Sequence, residues 1–482
     1  MCAGCEVSGL RGVGESGYSL TAQERNHGIR FWTRKEYTGF PRSLTLHFQT
    51  KEKFIMDLSE IRDKIYKELG TPPRYKDKIQ AIQDLYLAPY ATKLPKEGSR
   101  RNSNEKNSNF ETRSDFQRDR DRIIHSSAFR RLMYKTQVFV NHEGDFYRTR
   151  MTHSLEVSQI ARGIARSLGL NEDLTEAIAL GHDLGHTPFG HAVEELLSDQ
   201  LKNEHGFFHN ENSVRVVDII EQKYGTDNCG LNLTWEVREG ILKHTKDHTE
   251  GIYEELKPGG PSSLEGQVVA LSDTLAYVCH DLDDGINAKL IKESIDEGLL
   301  TQGCFDELVY ESFGLKPGSG ISALINTLIM DLVESSWNTI DTNNITTLEQ
   351  VRGFTGGNVQ GNRIIRLGKH EKAFGRLKKF VTEFVYNSPM TTIMDVKARK
   401  IVSEIYNTFW SDPKQMPVRI YKKFIDASRT PREGFESCTD SGWEYGGYVT
   451  TPARVLCDYI AEMTDRSALE TYDKLFGPFT KI

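Results

Sequence analysis

The chain has 482 residues, with 61 lysines and arginines against 68 aspartates and glutamates, and 38% of its residues are hydrophobic. This composition is typical of a globular protein and excludes a disordered or fibrous one. A formal net charge of −7 argues against a surface built to coat nucleic acid. Seven scattered cysteines make no disulfide framework, and no stretch reaches the ~18 consecutive apolar residues of a membrane helix. We therefore expect a cytoplasmic protein without membrane contact.

Residues 1–55 differ from the rest of the chain. They contain glycine-rich stretches, and their apolar residues follow neither a helical nor a strand period, so we expect little packed structure there. Cys2 and Cys5 form a single CxxC, which without a second pair does not indicate a metal site. Residues 56–115 predict a helical lead-in, DLSEIRDKIYKELG, followed by a mobile polar loop.

From residue 116 onwards the apolar residues recur mainly at helical spacing, and no internal repeat is present. We expect residues 116–300 to form a helical core and residues 301–482 a helical C-terminal region. The longest uninterrupted strand-like run, QVFV at 137–140, is short. The sequence therefore predicts a mostly α protein with at most a small β-hairpin.

Three sets of residues predict helix ends within this part of the chain. Asn171, followed by two acidic residues, is typical of an N-cap. Ser262 with Glu265 predicts a capping box. Pro452 predicts the start of a final helical segment, which Gly477 ends.

Of the 14 histidines, six lie between residues 153 and 209. His153 falls on the apolar stripe of its predicted helix, and Arg150 falls on the same stripe. One such histidine alone is more often a hydrogen-bonded core residue. A buried guanidinium, however, needs an anion, a carboxylate or a ligand as its partner.

The next predicted helix carries His182 and Asp183 side by side, with glycines around them. An imidazole nitrogen with a carboxylate oxygen suits several divalent metals, although an HD dipeptide alone is more often a surface pair. We expect His186, four residues on, to share a face with His182 before Pro188 ends the helix.

His191 precedes Glu194 by three residues. A carboxylate at that spacing can hold an imidazole in one tautomer, as a general acid or base requires. The pattern fits a solvated pair on the helix surface equally well.

The segment SLEGQVVALSDTLAYVCHDLDDG separates into two faces as a helix. Five apolar residues share one face, and Asp273, Tyr277 and Asp281 share the other. A solvated acidic face is the simple interpretation. A tyrosine between two aspartates is more typical of a pocket wall.

Together these pieces resemble the HD superfamily of metal-dependent phosphohydrolases, whose pattern is H…HD…D, and most closely its deoxyguanosine triphosphate triphosphohydrolase family. The matching text is RRLMYKTQVF, RTRMTHSLEV, GHDLGHTPFGH, FHNENS, LAYVCHDLDDG and DYIAEMTDR. The resemblance is close over residues 113–290 and looser over residues 360–482, and it implies an HD-domain helical bundle. The first 55 residues depart from the family's usual start.

The resemblance implies specific roles for the residues named above. It implies four metal ligands, which are His153, His182, Asp183 and Asp273. It makes His191, oriented by Glu194, the catalytic histidine, and it places His186 and His209 along the α-phosphate. It assigns a phosphate contact to Arg150, the 3′-hydroxyl to Gln137 and Asp281, and the sugar to Tyr277. Lys243 is a weaker candidate for the triphosphate tail, as is Arg454.

The activity implied is hydrolysis of dGTP or several deoxynucleoside triphosphates to deoxynucleoside and inorganic triphosphate, in control of deoxynucleotide pools. The metal would be Mn or Mg, with Fe, Ni, Co or Zn also compatible with the ligands. The resemblance suggests a homo-oligomer, a hexamer or tetramer, whose C-terminal region completes the pocket. It leaves open the preferred base and whether a nucleotide activator is required.

Three other functions can be weighed against this one. A cyclic-dinucleotide phosphodiesterase of the HD-GYP kind would show HHE and GYP signatures, which the sequence lacks. A 5′-nucleotidase would leave the long segment after Asp273 unexplained. A nucleotide sensor or single-strand nucleic-acid binder could use the basic run FQRDRDRIIHSSAFRRLMYK, although the aspartates in it offset the arginines.

Overall fold

The computed structural model describes residues 83, 85–96, 98–102, 112–139, 147–224, 230–245, 253–257, 260–355, 363–429 and 451–478. Over these residues it contains 17 α-helices and no β-strand, which confirms the prediction of a mostly α fold. The run at 137–140 is not a strand in its described part; the neighbouring Thr136 only makes an isolated bridge to Thr149. The predictions for residues 1–55, including Cys2 and Cys5, and for the helical lead-in lie outside the described residues.

The helices are labelled in chain order. The first eight are α1 (Asp115–Ile124), α2 (Ser127–Arg131), α3 (Arg150–Ser167), α4 (Glu172–Gly181), α5 (His191–Gln200), α6 (His209–Arg215), α7 (Trp235–Leu242) and α8 (Leu264–Asn287). The other nine are α9 (Leu290–Asp296), α10 (Gln302–Val309), α11 (Ile321–Thr342), α12 (Leu348–Arg352), α13 (Glu371–Val381), α14 (Pro389–Ser411), α15 (Val418–Arg429), α16 (Pro452–Ala461) and α17 (Asp465–Phe476). Two π-helical segments, Val216–Ile220 and Thr382–Tyr386, continue α6 and α13. None of the helices in these ranges is long and apolar enough to cross a membrane.

The larger of two hydrophobic clusters forms around α3, α4 and α8, which pack against one another. The apolar stripe predicted for α3 is buried, with Val157 and Ile164 fully shielded from solvent. His153 and Arg150 lie on that stripe and are 2% and 3% exposed, as the helical spacing predicted. The buried face of α3 therefore carries a guanidinium and an imidazole into the interior.

A second hydrophobic cluster joins α5 to the C-terminal helices α14, α15, α16 and α17. Val193 and Leu197 of α5 are fully buried in it. The first residue of the same helix, His191, has its ring 4.9 Å from that of His186, which follows α4. The polar site described below therefore lies where the two clusters meet.

Two of the three predicted helix ends are confirmed. The Asn171 side chain caps α4 by accepting hydrogen bonds from two backbone N–H groups of the first turn. Pro452 is the first residue of α16, and Gly477 ends α17. The final segment is two helices, however, because the chain turns between Ala461 and Asp465.

The predicted capping box of Ser262 and Glu265 is wrong by one residue. Ser263 caps α8, and its side chain accepts a hydrogen bond from the backbone N–H of Gly266. The Glu265 carboxylate instead accepts hydrogen bonds from the backbone N–H groups of Thr92 and Asn171. A long-range contact has therefore taken the side chain that a local cap would have used.

Residues 98–102 of the predicted mobile loop are anchored. The Ser99 hydroxyl donates to the Glu236 carboxylate at 2.6 Å. The Arg100 guanidinium pairs with the buried Asp119 carboxylate and donates to the Asn232 carbonyl at 2.7 Å. Since these partners belong to α1 and α7 or their flanks, this part of the polar segment is fixed to the helical core.

Candidate active site

Two helices and the turn that follows α4 bring together the side chains predicted to hold a metal. His153 comes from the first turn of α3 and Asp273 from the middle of α8. The prediction that His182 and Asp183 lie within a helix is wrong, because α4 ends at Gly181 and His182 is its C-cap. His153 Nε2 lies 2.9 Å from Asp273 Oδ1, and His182 Nε2 lies 3.7 Å from the same oxygen. Donor atoms of the three side chains lie within 4.8 Å of one another.

The tautomer of His182 suits a metal ligand. Its Nδ1 donates to the Ala179 carbonyl at 2.7 Å, so the lone pair is on Nε2. This Nε2 is buried and accepts no hydrogen bond from any described residue. Burial lowers the pKa of His182, but the Asp183 and Asp273 carboxylates outweigh it and raise the pKa to about 9. The surroundings of the ring therefore favour a positive charge at Nε2.

Asp183 is shared between His182 and Arg150. Its Oδ1 lies 3.6 Å from His182 Nε2, and its Oδ2 accepts a hydrogen bond from Arg150 Nη1 at 2.9 Å. Burial raises the pKa of Asp183, but His182 and Arg150 outweigh it and hold the pKa well below its usual range. The anion that the inward Arg150 requires is therefore a carboxylate of the chain itself.

His186 does not share a helix face with His182, because the helix has already ended and Pro188 lies seven residues beyond Gly181. The chain turns at Gly185, where an added Cβ would lie 2.1 Å from the backbone nitrogen of Ser213. His186 is 1% exposed and stacks on His209, with ring centroids 4.7 Å apart. Burial lowers the pKa of His186 well below its usual range. It is therefore a neutral imidazole in the wall of the site.

Glu194 joins His191 to His209. One carboxylate oxygen, Oε2, lies 2.9 Å from His191 Nδ1. The other, Oε1, accepts hydrogen bonds from the His209 backbone N–H at 2.7 Å and from His209 Nδ1 at 2.9 Å. Burial raises the pKa of Glu194, but His209 and His191 outweigh it and hold the pKa well below its usual range. An ionised carboxylate thus fixes both rings.

His191 differs from the other histidines in its exposure. Its side chain is 72% exposed, although its partner Glu194 is only 11% exposed. Because Nδ1 faces Glu194, Nε2 is the nitrogen left to meet a solute. The pair is a buried carboxylate orienting an exposed imidazole, not the fully solvated surface pair considered as the alternative.

His244 was missed in the sequence, where it stands beside Lys243 in GILKHT. It is 4% exposed, and its Nδ1 donates to the Ile241 carbonyl at 2.7 Å. Its Nε2 lies 3.3 Å from His209 Nε2, and its ring centroid lies 5.0 Å from that of His182. Burial, with help from His182 and His209, lowers the pKa of His244 to about 3. The histidine group thus extends one residue further than predicted.

Asp281 and Tyr277 lie on the face of α8 that also carries Asp273, as predicted. Asp281 is 1% exposed and accepts a hydrogen bond from the hydroxyl of Tyr386, a residue missed in the sequence. Burial raises the pKa of Asp281 to about 8. Tyr277 is half-buried, with the Lys378 ammonium 5.4 Å from its ring centre. This end of the site therefore has a carboxyl group that is neutral near pH 7.

Gln137 has a buried Oε1 that accepts no hydrogen bond from the residues described. A Cβ added to Gly190 would lie 3.9 Å from the Gln137 carbonyl and 3.4 Å from Arg150 Nη2. Gln137 and Arg150 therefore approach the same turn, which precedes His191.

The two weaker candidates for a phosphate contact already have carboxylate partners. The Lys243 ammonium lies 2.9 Å from Glu239 Oε1, and burial lowers its pKa. Arg454 is 3% exposed and pairs with Asp458 at 3.1 Å, beside the Phe207 ring. Their role at the triphosphate tail stays a prediction.

Comparisons with known proteins place this site in a family. The HD domain model matches residues 150–278, and the phosphohydrolase-associated domain model matches residues 368–474. A Geobacter sulfurreducens protein is 41% identical over 374 residues, which are 76% of this chain and 90% of that protein. A Caldanaerobacter subterraneus protein is 40% identical over 407 residues, which are 84% of this chain and 96% of that protein. A Rickettsia prowazekii protein is 39% identical over 76% of this chain and 92% of its own length.

All three relatives are named deoxyguanosinetriphosphate triphosphohydrolase-like protein. The chain belongs to this family of HD-domain proteins. The HD-domain match runs from Arg150 to Val278 and so spans the four predicted metal ligands. The phosphohydrolase-associated match covers α13 to α16 and most of α17. Of these helices, α14 to α17 contribute most of the second cluster.

The donor set fits the divalent metal on which HD domains depend. Imidazole nitrogens and carboxylate oxygens accommodate several first-row ions and Mg. The orphaned, buried Nε2 of His182 faces the same point as Asp273 and His153. A cation at that point would satisfy all three.

Proposed function

We propose that this protein hydrolyses deoxynucleoside triphosphates, dGTP or several of them, to the deoxynucleoside and inorganic triphosphate, and so acts in control of deoxynucleotide pools. One observation carries the proposal. The exposed His191, oriented by the buried Glu194, stands beside His186, and His186 directly follows the HD turn that carries two predicted metal ligands. The names of relatives about 40% identical to this chain support the choice of substrate.

His153, His182, Asp183 and Asp273 would hold the metal. When bound, a divalent ion there supplies a Lewis acid that polarises a phosphate and makes a water more acidic. Asp183 also pairs with Arg150, so its negative charge would be shared between the metal and that guanidinium. Mn or Mg is our first choice, with Fe, Ni, Co or Zn compatible with the same ligands.

His191 would protonate the leaving oxygen. Water attacks the α-phosphorus and releases a proton to solvent, the bond from phosphorus to O5′ breaks, and the departing O5′ takes a proton from His191 Nε2. The exposed His191 then regains a proton from solvent. Glu194 holds the opposite nitrogen and so fixes the ring with Nε2 free to meet the leaving oxygen. His186 and His209 line the same wall, where they can meet the charge that develops on the α-phosphate.

The sugar would lie toward α8. The neutral Asp281 carboxyl and the amide of Gln137 are the groups we assign to the 3′-hydroxyl, and each has a buried oxygen with no partner among the described side chains. Tyr277 would pack against the sugar where a 2′-hydroxyl would clash. Arg150 would contact phosphate from its position beside Asp183. Lys243 and Arg454 stay the weaker candidates for the triphosphate tail, and each already has a carboxylate partner.

The alternative of a single-strand nucleic-acid binder draws less support. The basic run FQRDRDRIIHSSAFRRLMYK, which such a binder would use, forms most of α1 and all of α2. In it Arg118 and Arg122 are buried, and Arg120 pairs with Glu176. Arg122 donates to two backbone carbonyls, of Leu231 and Asn232. These arginines stabilise the fold instead of forming a phosphate track. The homo-oligomer, the nucleotide activator and the cytoplasmic location stay predictions of the resemblance.

The test is to incubate the purified full chain with Mn²⁺ or Mg²⁺ and each of the four common deoxynucleoside triphosphates, singly and in pairs. We expect inorganic triphosphate and deoxynucleoside in equal amounts. The pairs separate substrate choice from activation. Monophosphate with pyrophosphate, or no turnover with any metal and nucleotide combination, would overturn the proposal.

A further inference from the structure

Asp465, the first residue of α17, places a buried carboxylate between two segments of the proposed active site. One oxygen, Oδ1, accepts a hydrogen bond from the backbone N–H of Phe189 at 2.8 Å. The other, Oδ2, accepts hydrogen bonds from the backbone N–H of Thr136 at 2.7 Å and from the Thr136 hydroxyl. Asp465 is 5% exposed. The two oxygens of one carboxylate therefore hold two segments that are distant in the sequence.

The Asp465 side chain is not needed to cap its own helix. The Thr464 side chain accepts a hydrogen bond from the Ser467 backbone N–H, and the Ser467 side chain accepts one from the Thr464 backbone N–H. This capping box satisfies the start of α17 locally. The carboxylate of Asp465 therefore serves a contact between the C-terminal helices and the HD domain.

The turn that Asp465 holds has an unusual backbone and leads directly to His191. Phe189 has a φ of 56°, and Gly190 has a φ of 69° and a ψ of −147°. A phenylalanine in the left-handed region is uncommon, and such a conformation persists only where its surroundings fix it. Asp465 fixes the Phe189 N–H, and the Thr187 hydroxyl donates to the Gly190 carbonyl at 2.7 Å. The position of His191, at the start of α5, depends on these contacts.

Lys135 holds the other end of the same turn against the same C-terminal segment. It is 2% exposed, and its ammonium donates to the Ala461 carbonyl at 2.8 Å and to the His186 carbonyl. Ala461 is the last residue of α16, just before the turn that leads to Asp465. Two buried side chains of opposite charge therefore bind the turn after the HD motif to the C-terminal helices.

Thr136 connects the Asp465 carboxylate to the residue that we assign to the 3′-hydroxyl. Gln137 directly follows Thr136, and its buried Oε1 accepts no hydrogen bond from the described residues. A Cβ added to Gly190 would lie 3.9 Å from the Gln137 carbonyl, so the two segments that Asp465 holds also approach each other. A shift of either segment would separate the proposed sugar contact from the proposed acid.

We propose that Asp465 is a positioning residue that fixes the turn before His191 and the segment of Gln137 in one arrangement. The C-terminal helices thus contribute a buried carboxylate to the site as well as packing. Asp465 acts through the backbone of its two partners and not on the substrate. Its effect on rate rests on the proposed function, whereas its effect on the two segments does not.

Asp465→Asn keeps the shape of the side chain and tests the proposal. The new amide has one acceptor oxygen, so the backbone N–H of either Phe189 or Thr136 must face its NH₂ group. Hydrogen–deuterium exchange of the full chain, measured by mass spectrometry, should become faster in one or both of the peptides that contain these residues. Peptides from α3 and α8 should exchange as in the unmodified protein. Asp473→Asn is the matched control and should change neither peptide, because Asp473 is an exposed aspartate of the same helix.

Kinetics of the metal-loaded full chain separate a loss of positioning from a loss of stability. A smaller folded fraction would lower kcat for every nucleotide by one factor and leave the preference among nucleotides unchanged. Loss of positioning in Asp465→Asn should lower kcat on dGTP by about 10²-fold. It should also reduce the preference in kcat/KM for dGTP over the dideoxy analogue, which lacks the 3′-hydroxyl, by about 2- to 10-fold. Metal content should stay unchanged, since neither Phe189 nor Thr136 is a predicted metal ligand.

Unchanged exchange in both peptides, or an equal loss of kcat on both nucleotides with the preference intact, would overturn the proposal. If Asp465→Asn does not fold, Thr136→Val decides, because it removes the hydroxyl contact and keeps both backbone N–H donors. It should reduce the same preference, and an unchanged preference would also overturn the proposal. If the unmodified protein hydrolyses no deoxynucleotide but Asp465→Asn exchanges faster in these peptides, the proposed function is rejected and the fixing of the two segments by Asp465 is supported.

Discussion

Replacing Glu194 by glutamine tests the proposed catalytic pair. The oxygen of the new side-chain amide must face the buried His209 backbone N–H, because an N–H donor there cannot be left facing another donor. The amide nitrogen then faces His191 Nδ1, which in the native protein lies 2.9 Å from a carboxylate oxygen. His191 can no longer keep its proton on Nδ1. It loses both its tautomer and the carboxylate that orients its ring.

The size of the effect follows from that lost contact. A hydrogen bond to a charged group contributes about 1.5–3 kcal/mol, which at ~1.36 kcal/mol per factor of ten is about 10- to 150-fold in rate. Misorientation of the acid adds to this, so the expected loss in kcat is on the order of 10² to 10⁴-fold. KM should change little, since the proposed role of Glu194 is through His191.

The assay is the initial rate of triphosphate release at saturating Mn²⁺, with metal content measured on the same samples. Glu195→Gln is the matched control, because Glu195 is the next residue of α5, is exposed and pairs with Arg399 on the surface. It should retain the native rate. An unchanged kcat in Glu194→Gln, with metal bound, would refute the role of the pair.

Three further predictions concern the frame of the site. Gly185→Ala places a Cβ 2.1 Å from the Ser213 backbone nitrogen and should lower the free energy of unfolding, measured with denaturant, by roughly 3 kcal/mol or more. Gly163→Ala is the control, because it has open space in α3, and it should raise the free energy of unfolding by about 0.5–1 kcal/mol. Equal effects of the two changes would contradict the close approach at Gly185. Because the folded pKa of Asp281 is raised to about 8, its contribution to stability is fully present below its unfolded pKa and is lost as pH rises through about 8. The melting temperature of Asp281→Asn relative to the native protein should therefore rise between pH 5 and 9, and a constant difference would disprove the shift. Arg150→Ala leaves the Asp183 carboxylate buried without its cation and should cost about 3–5 kcal/mol in the metal-free protein; adding Asp183→Asn should recover part of that loss, and strict additivity would argue against the pair.

Helical periodicity was sufficient to predict which face carries the site residues on the long helices. Arg150 and His153 were placed on the buried stripe of α3, and Asp273, Tyr277 and Asp281 on one face of α8, because α3 and α8 run 18 and 24 residues without a break. The family resemblance brought His182 and Asp183 to the same centre. A sequence motif identifies these two residues whether or not they lie in a helix.

The errors arose where distant residues decide the local structure. The end of α4 at Gly181 was missed because nothing in GHDLGH interrupts the helical pattern. The chain turns there because Gly185 packs directly against the backbone of α6 at Ser213. His244 has no periodic partner in its polar surroundings, and its importance appears only when α6 and α7 meet. Tyr386 lies in a π-helical segment, a feature without a sequence signature.

Hydrolysis in H₂¹⁸O tests the central claim most directly. If water attacks the α-phosphorus and the bond to O5′ breaks, the inorganic triphosphate should carry the ¹⁸O and the deoxynucleoside should carry none. Mass spectrometry of both products, from the metal-loaded full chain and dGTP, measures this. Label in the deoxynucleoside, or a deoxynucleoside monophosphate as product, would contradict the mechanism proposed for His191 and the metal ligands.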